Sequence, residues 1–213
     1  MLANTQYVSE NLRTVAVVGH GAAGKTTLVE QLLAKSRMIA AAGSVDKGST
    51  VSDHDPQEKA VQHSLRASVV HCDHATGQIS ARIHLIDTPG YPDFLGQAIG
   101  GLDAVETVMV VVSATAGIEL VTRRMMDWAR RRNLCRMIVV NKIDHDNIDL
   151  PALLARLQEA FGPEVLPINL PAENGARVID CFDKDSGEAD FLSVAEVHRK
   201  VMEQVVEVDD AAM

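Results

Sequence analysis

Gly19-His20-Gly21-Ala22-Ala23-Gly24-Lys25-Thr26, with Thr27 next in line, follows directly on the apolar run Thr14-Val15-Ala16-Val17-Val18. The octet matches G-x-x-x-x-G-K-[ST] and stands where that motif works, after a buried strand and before the helix-prone Leu28-Val29-Glu30-Gln31-Leu32-Leu33. Glycines let backbone N–H groups wrap phosphates, because a Cβ would block the approach. The segment from His20 to Thr27 is therefore expected to line a phosphate site. Lys25 would reach the β- and γ-phosphates, and the Thr26 hydroxyl would ligate Mg²⁺. The plainer alternative, an ordinary glycine-rich loop, does not account for the strand and helix on either side.

Two further motifs follow in order. Arg82-Ile83-His84-Leu85-Ile86 alternates like a strand and runs into Asp87-Thr88-Pro89-Gly90. An aspartate at a strand end beside a phosphate loop holds Mg²⁺, usually through a water, and the Gly90 N–H is left to meet a γ-phosphate. Cys135-Arg136-Met137-Ile138-Val139-Val140 reads as a buried strand ending in Asn141-Lys142-Ile143-Asp144, the N-K-x-D pattern. Open α/β sheets bind ligands at such strand ends. The Asp144 carboxylate can accept from guanine N1–H and N2–H₂. A carboxylate buried there would stand unpaired against adenine, so GTP and GDP are the expected ligands. Asn141 would bond the base edge, and the Lys142 stem would lie along the ring.

These motifs together resemble the GTP-binding domain of translational GTPases, in particular the elongation factor G group and its elongation-factor-G-like members. Gly19-His20, Asp87-Thr88-Pro89-Gly90-Tyr91-Pro92-Asp93-Phe94 and Leu102-Asp103-Ala104-Val105-Glu106 support the likeness, which runs from about Leu12 onward. Leu166-Pro167-Ile168-Asn169-Leu170-Pro171 and Val178-Ile179-Asp180 look like the start of that family's extra subdomain. The resemblance implies GTP binding and hydrolysis on the ribosome, in the cytoplasm. It also implies a P-loop GTPase fold: α/β, doubly wound, mostly parallel, with one antiparallel strand. The expected division is a loose N-terminus over 1–11, a GTP-binding core over 12–165 and the beginning of the extra subdomain over 166–213. In the family a Ser-Ala motif after that subdomain closes the guanine pocket. Ser113-Ala114 precedes N-K-x-D and is in the wrong order, so the chain reads as a fragment whose core is incomplete on its C-terminal side.

The sequence departs from the family at three places. Ala22 stands where many members have an aspartate. The R-G-I-T switch sequence appears as Val61-Gln62-His63-Ser64, which aligns Ser64 with the Mg²⁺-binding threonine. Tyr91 replaces the catalytic histidine of D-T-P-G-H, and a phenol with a pKa of about 10 is a poor substitute for imidazole. The candidate catalytic groups are thus Lys25, Gly90 and Tyr91, and slow hydrolysis is expected. A non-hydrolysing GTP-binding regulatory module is the second reading, and a P-loop ATPase or kinase the third.

The remaining sequence is consistent with one α/β domain. Its 213 residues are 46% hydrophobic and only 3% aromatic, so an aliphatic core is expected. A net charge of −9 leaves nucleic-acid contact to a local basic patch. Arg123, Arg124, Arg130, Arg131 and Arg132 on one predicted helix are a solvated face by default and a ribosome contact as the sharper alternative. No membrane span and no specific DNA partner are expected, since Glu106, Gly117 and Glu119 interrupt the longest apolar stretch. His71-Cys72-Asp73-His74 reads as a polar hairpin end rather than a metal site, because strand alternation parts neighbours. Ala40 to Asp55 reads as a flexible loop, and Ser193 to Val208 as a helix with Val194, Val197, Val201, Val205 and Val208 at helical spacing.

Overall fold

A computed structural model describes residues 7–76 and 79–208. Residues 1–6 of the expected loose N-terminus, residues 77–78 and residues 209–213 lie outside them. The chain divides into two compact units, Met1–Asn141 and Lys142–Met213.

The first unit runs β1 (Leu12–Val18), α1 (Lys25–Lys35), α2 (Pro56–Val61), β2 (Ser68–Thr76), β3 (Ile79–Asp87), α3 (Leu95–Leu102), β4 (Thr107–Ser113), α4 (Leu120–Arg131) and β5 (Cys135–Asn141). Short 3₁₀ turns occupy Ser9–Asn11 and Pro92–Phe94. Its five strands lie in the order β2-β3-β1-β4-β5. β1 is parallel to β3 and β4, and β4 is parallel to β5. β2 alone runs antiparallel, against β3. This is the doubly wound, mostly parallel α/β sheet with one antiparallel strand that the family resemblance implied.

The valine run of β4 shows why: Val108, Val110, Val111 and Val112 are all wholly buried, as a strand covered on both faces requires. On one face Val15, Val17, Leu85 and Val111 pack with Val29 and Leu33 of α1. Alternation sends Ala16 and Val18 to the other face, where α3 packs on β1 and α4 on β4 and β5. Val121, Met125 and Ala129 recur at four-residue spacing along α4 and are buried. Its arginines are partly neutralised: Arg131 pairs with Asp127 at 2.8 Å, while Arg132 meets Asp103 and covers the Trp128 ring at 4.4 Å. At the far end of β2 and β3, Asp73 takes a two-pronged ion pair from Arg82, at 2.8 and 2.9 Å.

Two features depart from the sequence reading. Helix α2 was not anticipated, although Asp55-Pro56-Gln57-Glu58 carries its start signal. The Asp55 carboxylate accepts from the Gln57 N–H at 2.8 Å, Glu58 accepts from the Asp55 N–H at 3.3 Å, and Pro56 fills the first helical position. The stretch expected to be a flexible loop is irregular but clasped. Fully buried Glu30 of α1 accepts the N–H of Gly43 at 2.8 Å and of Val51 at 2.6 Å. Glu58 likewise accepts from Leu65 at 2.9 Å and Arg66 at 3.1 Å. Hydrogen bonds to a carboxylate are among the stronger ones.

The second unit holds α5 (Leu150–Phe161), β6 (Asn169–Ala172), β7 (Arg177–Asp180) and α6 (Val194–Val208). Asp149 caps α5 through the Ala152 N–H at 2.9 Å. β6 and β7 pair antiparallel, and Leu170, Ile179 and Cys181 pack with Val194, Val197 and Val201 of α6.

Candidate functional site

The phosphate loop fills the gap between β1 and α1. Gly19 has φ +140°, and a Cβ there would collide with the Val111 carbonyl oxygen, so glycine is obligatory. Gly24 precedes α1 in the left-handed region at φ +94°, and Ala22 enters it at φ +58°. A non-glycine residue there stores backbone strain, as functional loops often do. Ala23 is buried and Thr27 is exposed on the first turn of α1. The Lys25 ammonium curls over the loop, donating to the Gly19 carbonyl at 3.0 Å and the His20 carbonyl at 2.8 Å. Burial pushes its pKa down to about 8, while the charges of Asp87 and Asp53 act the other way. His20 is itself buried, with Nδ1 3.3 Å from the Thr122 hydroxyl of α4. Gly90 passes so close that a Cβ would strike the Lys25 ammonium and the His20 carbonyl. The Asn141 amide donates to the Ala23 carbonyl at 3.0 Å, tying the end of β5 to the loop.

Beside the start of α1 lies a group of buried oxygens. The Thr26 and Ser64 hydroxyls face each other at 3.3 Å. Both Asp87 carboxylate oxygens are buried with no hydrogen-bond partner, as are Asp53 Oδ2 and the hydroxyls of Thr50 and Ser52. Burial pushes the Asp87 pKa up to about 6, partly offset by the Thr26 hydroxyl, which stands close by but outside hydrogen-bonding geometry, and by the Lys25 charge. Asp53 is also raised, chiefly by burial. Native structures rarely leave buried polar atoms unpaired, and each such atom points to a missing partner. An all-oxygen set with two carboxylates suits a hard dication that keeps waters and phosphates as its other ligands. Among the described residues no three His, Cys, Asp or Glu side chains converge as a closed protein cage would.

The structure thus brings together Lys25, Thr26, Ser64, Asp87 and Gly90, with Asn141 bracing the loop. Sequence reasoning missed Thr50, Ser52 and Asp53. The only signal was a cluster of small polar residues, Thr50-Val51-Ser52-Asp53, indistinguishable from an ordinary loop. Tyr91 is 41% exposed, and its ring lies against Gly21, where a Cβ would sit 3.1 Å away. The His63 ring tilts against Tyr91, centroids 4.6 Å apart, and is 6.1 Å from Phe94. Lys142 and Asp144 open the second unit, Lys142 at φ +62° and Asp144 exposed in a turn.

Among the described residues no helix is long and apolar enough to cross a membrane. Residues 10–211 match the model of the elongation factor Tu GTP-binding domain. The chain is 34% identical over 164 residues to an elongation factor G-like protein of Mycobacterium tuberculosis (strain CDC 1551 / Oshkosh), covering 77% of this chain and 22% of that one. It is 30% identical over 217 residues to an elongation factor G-like protein of Thermotoga maritima, covering 96% and 30%. A peptide chain release factor 3 of Lactococcus lactis subsp. cremoris is 32% identical over 182 residues, covering 84% and 34%. The chain thus spans no more than 34% of the length of these relatives. A crystal structure of a Thermus thermophilus protein superposes with a TM-score of 0.79 at 35% identity, over 94% of this chain and 32% of that one. The phosphate loop, the sheet order and these matches lead to one conclusion: the chain belongs to the elongation factor Tu GTP-binding domain family.

Proposed function

We propose that this chain binds GTP and GDP with Mg²⁺ and slowly hydrolyses GTP to GDP and phosphate, as part of a cytoplasmic elongation factor that works on the ribosome. The observation that carries this reading is the set of unpartnered buried oxygens of Asp87 and Asp53 beside Lys25 and Thr26. Lys25 and the N–H groups from His20 to Thr27 neutralise the phosphates. The Thr26 and Ser64 hydroxyls and Asp87, with Asp53 behind them, would hold Mg²⁺, which supplies charge to the β- and γ-phosphate oxygens when bound. Gly90 offers its N–H to the γ-phosphate, and Asp144 reads guanine from the N-K-x-D turn. Residues 12–165 serve as the nucleotide core in this reading, with 166–213 beginning an extra subdomain. Titration with a fluorescent GDP, with and without Mg²⁺ and in competition with GTP and ATP, tests it. Displacement by ATP as effective as by GTP overturns guanine selectivity.

The exposed phenol of Tyr91 favours a second reading, a GTP-binding module that does not hydrolyse. Single-turnover phosphate release separates the two. Positioning and charge neutralisation alone support rates of about 10⁻⁴–10⁻² s⁻¹ in this fold, and we expect no faster basal rate here. Tyr91→Phe should change that rate by less than about tenfold, because a phenol cannot deprotonate water near pH 7 and its loss removes little positioning. A collapse of the rate in Tyr91→Phe would show that the hydroxyl is a working catalytic group.

A further inference from the structure

We infer that His63 holds the attacking water in GTP hydrolysis by this chain, an inference that rests on the hydrolysis reading above. His63 sits between the end of α2 and Ser64, whose hydroxyl meets Thr26. Its ring leans on Tyr91, which lies on Gly21 of the phosphate loop and follows Gly90, the residue in contact with the Lys25 ammonium. Three segments therefore converge on the γ-phosphate end of the site, and the imidazole stands among them.

Apart from the Tyr91 phenol, whose part Tyr91→Phe tests separately, the chemistry of the neighbours leaves one role open. The Lys25 ammonium and the Gly90 N–H are donors only: they neutralise phosphate and cannot accept from water. The Thr26 and Ser64 hydroxyls face each other, and Asp87 and Asp53 belong to the metal side. His63 Nδ1 lies 3.3 Å from the Ser64 carbonyl oxygen. A carbonyl can only accept, so the contact places a hydrogen on Nδ1, and Nε2 is the one ring atom left that can serve as an acceptor. An acceptor at this place takes one O–H of a water and turns the oxygen lone pair toward phosphorus. In the reaction a new bond forms between the water oxygen and Pγ. The bond from Pγ to the β–γ bridging oxygen breaks, and its electron pair stays on GDP. The water's proton passes to an oxygen of the product phosphate. His63 is unchanged at the end: it orients the water and is not consumed as a base.

The test compares His63→Phe, which keeps a ring against Tyr91 and Phe94 but has no acceptor, with His63→Gln, which restores an acceptor. GTP affinity and single-turnover phosphate release are read for each. His63→Phe should slow release at least about tenfold with GTP affinity within about threefold of wild type, and His63→Gln should recover most of the rate. Release by His63→Phe at the wild-type rate overturns the inference, as does equal slowing in both variants, which would mark a packing role. A wild-type protein that binds GTP and releases no phosphate overturns the hydrolysis reading and this inference with it. That failure shows in the wild-type rate alone, whereas failure of the inference alone shows in the ratio of variant to wild type.

Discussion

Asp87→Asn is expected to raise the thermal stability of the nucleotide-free, metal-free protein at neutral pH while cutting its Mg²⁺-dependent GTP affinity roughly 10²–10⁴-fold. Burial lifts the Asp87 pKa from 3.8 to about 6. The folded state therefore holds that proton more tightly than the unfolded chain does. Its contribution is complete below about pH 4, is lost as the pH climbs through about 6, and stays lost above that. A difference of about two units is about 3 kcal/mol, or several degrees of melting temperature in a domain of this size. Asparagine carries no charge to desolvate, so the variant should melt higher than wild type at pH 7.5 in EDTA, and the gap should close toward pH 4. Affinity moves the other way, because removing one partner of a buried charge pair costs about 3–5 kcal/mol. Melts at the two pH values and a Mg²⁺ titration of GTP binding check both halves. A variant no more stable than wild type at pH 7.5 would mean that the buried carboxylate carries no desolvation cost.

Asp144→Asn is expected to weaken guanine nucleotide binding about ten- to a hundredfold and to favour xanthine nucleotides. In the proposed role the carboxylate would accept from two base donors, and losing a charge-assisted pair costs about 1.5–3 kcal/mol. The new amide can donate to the xanthine C2 carbonyl. Asp144 is exposed in the structure rather than buried, so the base itself must bring the desolvation that makes the pair discriminate. Competition of GTP and XTP against a fluorescent nucleotide measures the exchange. Wild-type affinity for GTP in the variant would remove Asp144 as the base-reading residue.

What could be read in the sequence was local. β1, the glycine loop and α1 form one continuous signal, because strand period, glycine spacing and helix propensity change within about twenty residues. The strand ends at Asp87 and Asn141 were legible for the same reason. Ser64 was legible only through likeness to a family switch sequence, and the structure sets it against Thr26. Asp53 was not legible: its burial is decided by how residues 40–67 fold back on α1, which no periodicity records. Helix α2 was missed for a different reason. Its capping box was present, but at six residues it has too few turns to show a period. The β6–β7 pair was likewise too short, at four residues a strand, to stand out from the loop around it.

The clasp of Glu30 on the 43–51 segment has a mechanical consequence. Lys25 and Glu30 lie on one rigid helix, about 7.5 Å apart along its axis. α1 is thus a lever with the phosphate site at one end and two loop amides, those of Gly43 and Val51, hooked to its body. Any tilt or advance of the helix toward a phosphate pulls both amides with it, and with them the stretch that leads into Asp53. A shift of α1 would reach this loop through a carboxylate.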